Sequence, residues 1–156
     1  MILSIDPLQL KIFLQLILAA LLGGLLGLER DYVGKPVGLR TYALVSLGAA
    51  LFTIISVNSF KLFPGAQFDP MRIPSQIVTG IGFLGAGIII HQGLRAKGIT
   101  TAAGIWLVSA IGVAIGLDLY QTAIFTTILA FIIIVVLRWV DWEKEIKEVV
   151  DRVKEL

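Results

Sequence analysis

Residues 27–41 read GLERDYVGKPVGLRT and place five charged side chains, Glu29, Arg30, Asp31, Lys35 and Arg40, between two long apolar runs. Glu29 and Arg30 follow directly on one run, and Arg40 directly precedes the next. Charges at a membrane edge reach water at little cost, and part of the cluster needs no other account. A carboxylate gains less than a cation by reaching towards an anionic leaflet. Glu29 is therefore expected to pair with Arg40 across the hairpin or with a partner from another span, closing one end of the bundle. A proton or divalent-cation site at Glu29 is the remaining alternative.

Other chemistry is sparse. The chain has no cysteine, which removes disulfides, thiolate metal sites and a cysteine nucleophile. There is no nucleophile with a base, no HExxH and no Walker loop, so no catalytic residue and no cofactor is expected and the protein reads as a non-enzyme. His91 stands without a second histidine nearby, and the identity of any bound metal stays open. Thr41 and the pair Thr100 and Thr101 each open an apolar run just after a glycine-bearing loop. They are expected to cap helix starts; alternatively, two helix N-termini face one vestibule and attract an anionic group. Gln76 and Thr79, inside the third run, are expected to hydrogen-bond between helices.

The elements that must hold these residues are transmembrane helices. Of 156 residues, 57% are hydrophobic and 15% charged, with a mean hydropathy of +0.92, and the apolar runs are long enough to cross a hydrocarbon core of about 30 Å. Five spans are predicted, at 9–28, 41–59, 73–91, 99–117 and 119–139. The fold class is an all-α integral membrane protein, a compact bundle of about five transmembrane helices followed by a short C-terminal amphipathic helix on the cytoplasmic side. The first run does not read as a cleaved signal, because Asp6 precedes it, no basic region does, and it ends in Gly-Leu-Glu-Arg.

Counting Lys and Arg sets the orientation. Lys11, Lys61 and Arg72 fall on one side; Arg30, Lys35, Arg40, Arg95, Lys97, Arg138, Lys144, Lys147, Arg152 and Lys154 fall on the other. Ten against three places the second set in the cytoplasm of a cell membrane, the N-terminus outside and the C-terminus inside. A formal net charge of +2 gives no case for nucleic acid.

Small residues recur at close-packing intervals. Gly23/Gly27 and Gly112/Gly116 are four residues apart in the first and fourth spans, and Gly80, Gly82, Gly85 and Gly87 crowd the third. Such residues let helices approach in lipid; a bent third span exposing carbonyls to a cation or substrate is the alternative. A shift of 60 residues superposes Gly38 on Gly98, Thr41 on Thr101, Ala43 on Ala103 and Leu47 on Leu107. The hairpins 9–59 and 73–117 are thus candidates for a parallel duplication within a membrane domain over 1–140. In the tail, 141–156, Trp142, Ile146, Val149, Val153 and Leu156 form an apolar stripe, with Glu143/Lys147 and Glu148/Arg152 as favourable pairs. Two heptads suit self-association into a dimer once one end is held; six acids against four bases argue against lying on anionic lipid.

The blocks GLERDYVGKPVGLRTYALVSLGAAL, DPMRIPSQIVTGIGFLGAGIII and KGITTAAGIWLVSAIGVAIGLDLY, in this order, resemble the membrane domain of the MgtC/SapB family from about Gly23 to Tyr120. Carried over by motif, Glu29, Arg30, Gly38, Arg40, Thr41, Asp69, Arg72, Gln76, Gly80, Gly82, Gly85, Gly87, Thr100, Thr101 and Trp106 are signature positions. The resemblance implies a bacterial or archaeal membrane protein of about five spans. It also implies a link to magnesium or ion homeostasis, to survival of pathogens inside host cells, or to restraint of another membrane complex such as the F-type ATP synthase. Membership alone does not imply magnesium transport. Many members carry a soluble ACT-like C-terminal domain; DWEKEIKEVVDRVKEL is too short for one, and functions resting on that domain are not carried over. The expected partners are the lipid bilayer, a second copy of the chain and another membrane protein complex. The competing expectation is a transporter or channel for Mg2+ or another small ion, lined by Glu29 and the third-span glycines.

Overall fold

A computed structural model describes residues 6–62, 69–92 and 95–154. Among the described residues the chain forms five helices: α1 (Pro7–Tyr32), α2 (Leu39–Leu62), α3 (Arg72–Ile88), α4 (Ile99–Gly116) and α5 (Tyr120–Lys154). A small antiparallel hairpin of β1 (Ile90–Gln92) and β2 (Arg95–Lys97) joins α3 to α4, pairing Ile90 with Lys97 and Gln92 with Arg95.

The helix boundaries follow from local chemistry. Asp6 caps α1 by accepting from the Leu8 N–H at 3.4 Å, with Pro7 at the first helical position, where its missing N–H costs nothing. The α4–α5 turn is made by Asp118 in a left-handed conformation, φ 65°, which aspartate tolerates better than most residues. The third span was expected over 73–91, but its helix ends at Ile88. The run Ile88-Ile89-Ile90 is β-branched throughout and favours extended backbone. Gly98, at φ 92°, then lets the returning chain press on the Ile88 carbonyl; a Cβ there would meet that oxygen at 2.5 Å.

Among the described residues four helices are long and apolar enough to cross a membrane: Pro7–Tyr32, Leu39–Ser59, Ile99–Gly116 and Tyr120–Trp139. α3, with 17 residues, is the shortest, at the lower limit of what spans about 30 Å of hydrocarbon. Residues 141–154 are helical, as a continuation of α5, which runs without interruption to Lys154. The side chains of the expected tail stripe, Trp142 to Leu156, lie outside the described residues.

α2 is clamped between α1 and α4 through glycines. A Cβ on Gly23 would lie 2.6 Å from the Ser46 Cβ, and one on Gly27 2.7 Å from the Leu39 Cα. On the other side Gly112 rests on the Ser46 carbonyl, and a Cβ on Gly116 would come within 2.6 Å of the Thr53 Cβ. The core between these helices is built from Leu26, Tyr42, Ile105, Val108, Ile111 and Ile115, all buried. α3 packs chiefly on α4 and less on α2. Among its described residues α5 fully buries a narrow face of small residues, Ala123, Thr127 and Ala130, packs Tyr120 and Ile134 partly against the core, and leaves Phe125, Ile128, Ile132 and Val136 exposed, as a lipid-facing helix does.

Candidate functional site

Glu29 lies in the last turn of α1 and is 7% exposed. Its Oε1 accepts from Nη1 of Arg138, on α5, at 2.6 Å. Its Oε2 accepts from Nη1 of Arg30 at 3.3 Å. Arg30 is 5% exposed and its Nε finds no partner among the described residues, whereas the Arg138 side chain is 38% exposed at the membrane exit of α5. Two guanidinium groups thus enclose one carboxylate. A buried carboxylate is stable only when paired and hydrogen-bonded, and Arg can satisfy it with directed N–H groups.

The same end of the bundle holds Tyr42, fully buried in the first turn of α2, whose hydroxyl donates to the Thr101 carbonyl of α4 at 3.3 Å. Gly104 makes room for that hydroxyl, since a side chain there would collide with it. Tyr42 sits within the field of both Arg30 and Glu29. One end of the bundle therefore ties α1 to α5 by charge and α2 to α4 by a hydrogen bond.

The opposite end carries a second network. Lys11 Nζ donates to Asp118 Oδ2 at 2.7 Å, and Tyr120 donates to Oδ1 at 2.7 Å. Gln15, buried on α1, donates both to Asp118 Oδ1 at 3.0 Å and to the Ile115 carbonyl at 2.8 Å. Partial burial alone would push the Asp118 carboxyl up, but the hydrogen bonds from Lys11 and Tyr120 and the Lys11 charge outweigh it and hold it below its usual value.

The structure redistributes the expected site residues. The Glu29–Arg40 pair does not form. Arg40 sits exposed in the first turn of α2 without an ion pair among the described residues, and Glu29 takes the alternative partner from another span. Thr41 does not cap α2: it is the third helical residue, and the Asp31 carboxylate accepts from the Leu39 N–H at 2.9 Å instead. Gly38 leaves the space that this carboxylate occupies. Thr100 and Thr101 likewise lie inside α4, whose N-cap is Gly98 with no side-chain cap; Thr100 is exposed and Thr101 buried.

Asp69 and Arg72 fall at the far end from Glu29, where Asp69 accepts from the Met71 N–H at 2.9 Å and shapes the turn into α3. Gln76 and Thr79 are exposed on α3 and are not buried between helices of this chain. Trp106 is exposed on α4, and its carbonyl accepts from the Ser109 hydroxyl at 2.7 Å. Gly85 packs near Ala102, whereas Gly80, Gly82 and Gly87 have nothing within 4 Å of a built Cβ. α3 is continuous through all four glycines. Among the described residues no three His, Cys, Asp or Glu side chains gather as metal ligands.

Arg138, Asp31, Tyr42 and the Asp118 network were missed in the sequence. Arg138 was legible only as a topology charge. A lone Lys11 inside an apolar run, which must find an acid, was the available signal for Asp118.

A bundle of apolar helices, joined by a buried ionic cluster at one end and a polar network at the other, defines a multi-pass helical membrane protein. The chain belongs to the MgtC family, whose model matches residues 16–142. It is 43% identical over 125 residues to the protein MgtC of Salmonella typhimurium, covering 80% of this chain and 52% of that protein. It is 40% identical over 127 residues to YhiD of Escherichia coli K12, provisionally named as a magnesium transporter, covering 80% and 59% respectively. To the protein SapB of Bacillus subtilis it is 38% identical over 140 residues, covering 87% and 59%. The chain thus spans between half and three-fifths of the length of these relatives. No solved structure matches it.

Proposed function

We propose that this chain is a non-enzymatic component of magnesium or ion homeostasis in the cell membrane, acting through helix contacts on another membrane complex. The N-terminus lies outside and the C-terminus inside, and the working form is a homodimer. The observation that carries this reading is the state of Glu29: both carboxylate oxygens are engaged by arginines, Oε1 at 2.6 Å and Oε2 at 3.3 Å. A carboxylate neutralised in this way closes a bundle end and offers no free oxygen to a passing cation. In a pathogen the same role would serve survival inside host cells.

The second reading is transport of Mg2+ or another small ion, supported by the magnesium-transporter name of the Escherichia coli relative. Purified protein in liposomes loaded with a Mg2+-sensitive dye separates the two. The regulatory reading expects no flux above protein-free vesicles together with co-purification of a membrane partner. Flux that disappears in Glu29→Gln would establish transport instead.

A further inference from the structure

Two guanidinium groups share one carboxylate at the Glu29 end of the bundle, and Arg30 has the poorer share. Arg138 donates to Glu29 Oε1 at 2.6 Å, whereas Arg30 reaches Oε2 at 3.3 Å. The Arg30 side chain is nonetheless far more enclosed, at 6% exposure against 38% for Arg138. Its Nε is buried and meets no acceptor among the described residues. A buried guanidinium group is expected to be fully paired, because an uncompensated charge or N–H away from water is costly. Two guanidinium groups against one carboxylate leave one positive charge that Glu29 does not neutralise.

No other carboxylate makes up the difference. Asp31 is exposed and accepts from the Leu39 N–H at 2.9 Å, and neither arginine forms a further ion pair among the described residues. The other described charges at this end, Lys35, Arg40 and Lys97, are all cations. Arg30 and Arg138 each engage Glu29 through Nη1, which leaves other N–H groups of both forks to a second acceptor. The planar fork of arginine matches the oxygens of a phosphate group. The cluster also stands where helices leave the hydrocarbon. Arg138 immediately precedes Trp139, the end of the apolar stretch of α5. Trp139 and Tyr32 are both strongly exposed, as aromatics at a headgroup interface are.

We propose that Arg30 and Arg138 bind a phosphate oxyanion beside Glu29, with the partly exposed Arg138 as the outer arm of the site and Arg30 as its buried base. Glu29 holds the two guanidinium groups in place and, by occupying both, limits how tightly an anion binds. The ligand chemistry is that of a phosphate anion, borne by an anionic phospholipid headgroup or by a soluble phosphate compound. The depth of the cluster favours the headgroup. On the orientation advanced above it meets the cytoplasmic leaflet, where anionic lipids give the surface its negative potential; binding in detergent does not depend on that orientation.

Native mass spectrometry and thermal-shift titration of the full chain in neutral detergent, against phosphatidylglycerol, phosphatidylcholine and inorganic phosphate, test the site. Phosphatidylglycerol should bind and stabilise the chain. Phosphatidylcholine, whose headgroup has no net charge, should bind at least about five-fold more weakly, the weight of one charge at a membrane surface. Arg138→Gln should weaken phosphatidylglycerol binding about ten- to hundred-fold, the weight of a hydrogen bond to a charged group. Arg30→Gln should do the same; if it fails to fold, Arg138→Gln alone decides, since that side chain is partly exposed. Lys35→Gln removes the same charge from the exposed loop at this end and should change binding less than about two-fold, because a charge without contact to the anion is screened. Glu29→Gln keeps the shape of the side chain and frees both guanidinium groups. It should tighten binding roughly two- to five-fold, the weight of a partly exposed charge pair.

A chain that binds inorganic phosphate with the same response to Arg138→Gln, but takes no phosphatidylglycerol, would uphold the site and assign it to a soluble phosphate compound. Equal weakening by Lys35→Gln and Arg138→Gln would reveal diffuse attraction to a basic surface and overturn the site. Looser binding in Glu29→Gln, the result of disturbing a purely structural cluster, would overturn it as well. Binding of neither lipid nor phosphate would overturn the proposal and leave the three residues as a tie between α1 and α5.

Discussion

Arg138, 109 positions along the chain from Glu29, donates to its carboxylate at 2.6 Å and thereby fastens the membrane exit of α5 to the end of α1. Among the described residues the fully buried face of α5 consists of the small side chains Ala123, Thr127 and Ala130, with Tyr120 and Ile134 partly buried against the core. At its other end the Lys11–Asp118–Tyr120 network supplies the second attachment. Lys11 and Glu29 are separated by about 27 Å of α1, so the two polar anchors sit near opposite faces of the membrane with apolar contact between them.

The first prediction concerns that anchor. Glu29→Ala leaves the buried Arg30 unpaired and should cost about 3–5 kcal/mol in detergent unfolding. Arg138→Ala should cost less, because its side chain is 38% exposed and exposed partners are screened. The two losses should be non-additive by about 0.5–3 kcal/mol, the range for residues in contact. Arg40→Ala should stay within about 0.5 kcal/mol and add independently. A coupling of Glu29 to Arg40 larger than that to Arg138 would contradict the observed pairing.

The second prediction sorts the glycines. Gly116→Ala forces a Cβ against Thr53 and should destabilise the bundle by about 1–3 kcal/mol, the cost of overpacking. Gly82 meets nothing within 4 Å, so Gly82→Ala should be neutral or stabilising by up to about 1 kcal/mol through helix propensity alone. Thermal unfolding of both variants in one detergent checks the contrast. Equal losses at the two positions would mean that the packing described between α4 and α2 is not what holds them together.

The third prediction tests the cap that the sequence concealed. Asp31→Ala removes the acceptor for the Leu39 N–H and should cost about 0.5–2 kcal/mol, the range for a lost helix cap. Gly38→Ala displaces the same carboxylate, and the double variant should lose little more than the worse single one. Thr41→Ala should be close to silent, and a loss as large as that of Asp31→Ala would restore the threonine as the cap.

The contrast with sequence expectation has a physical pattern. Hydrophobic run length is a one-dimensional property, so the apolar runs were legible, and the four-residue glycine spacings lie where α1 and α4 grip α2. What a run cannot encode is rotation about the helix axis. Arg40 and Arg138 both border apolar runs, yet only Arg138 projects onto Glu29, because α5 returns alongside α1. The caps were missed for a related reason: Asp31 lies eight residues before the N–H it accepts from, beyond the local pattern on which capping signatures rely. The end of α3 at Ile88 was hidden because three consecutive isoleucines satisfy a hydropathy window as either helix or strand.

The last prediction is a pH dependence at the other anchor. Hydrogen bonds from Lys11 and Tyr120 hold the Asp118 carboxyl below its ordinary value in the folded protein. The unfolded chain releases that depression, so the folded state binds the proton more weakly and is favoured where the carboxylate is ionised. The stabilisation is fully present above about pH 5 and is lost as pH falls through the unfolded value near 4 and then the lower folded one. Because the Asp118 side chain is 51% exposed, the effect should be modest and should shrink as salt is raised. Acid titration of thermal stability should therefore show a limb below pH 4 that is flatter in Asp118→Asn. A limb unchanged in Asp118→Asn would place the acid sensitivity elsewhere in the chain.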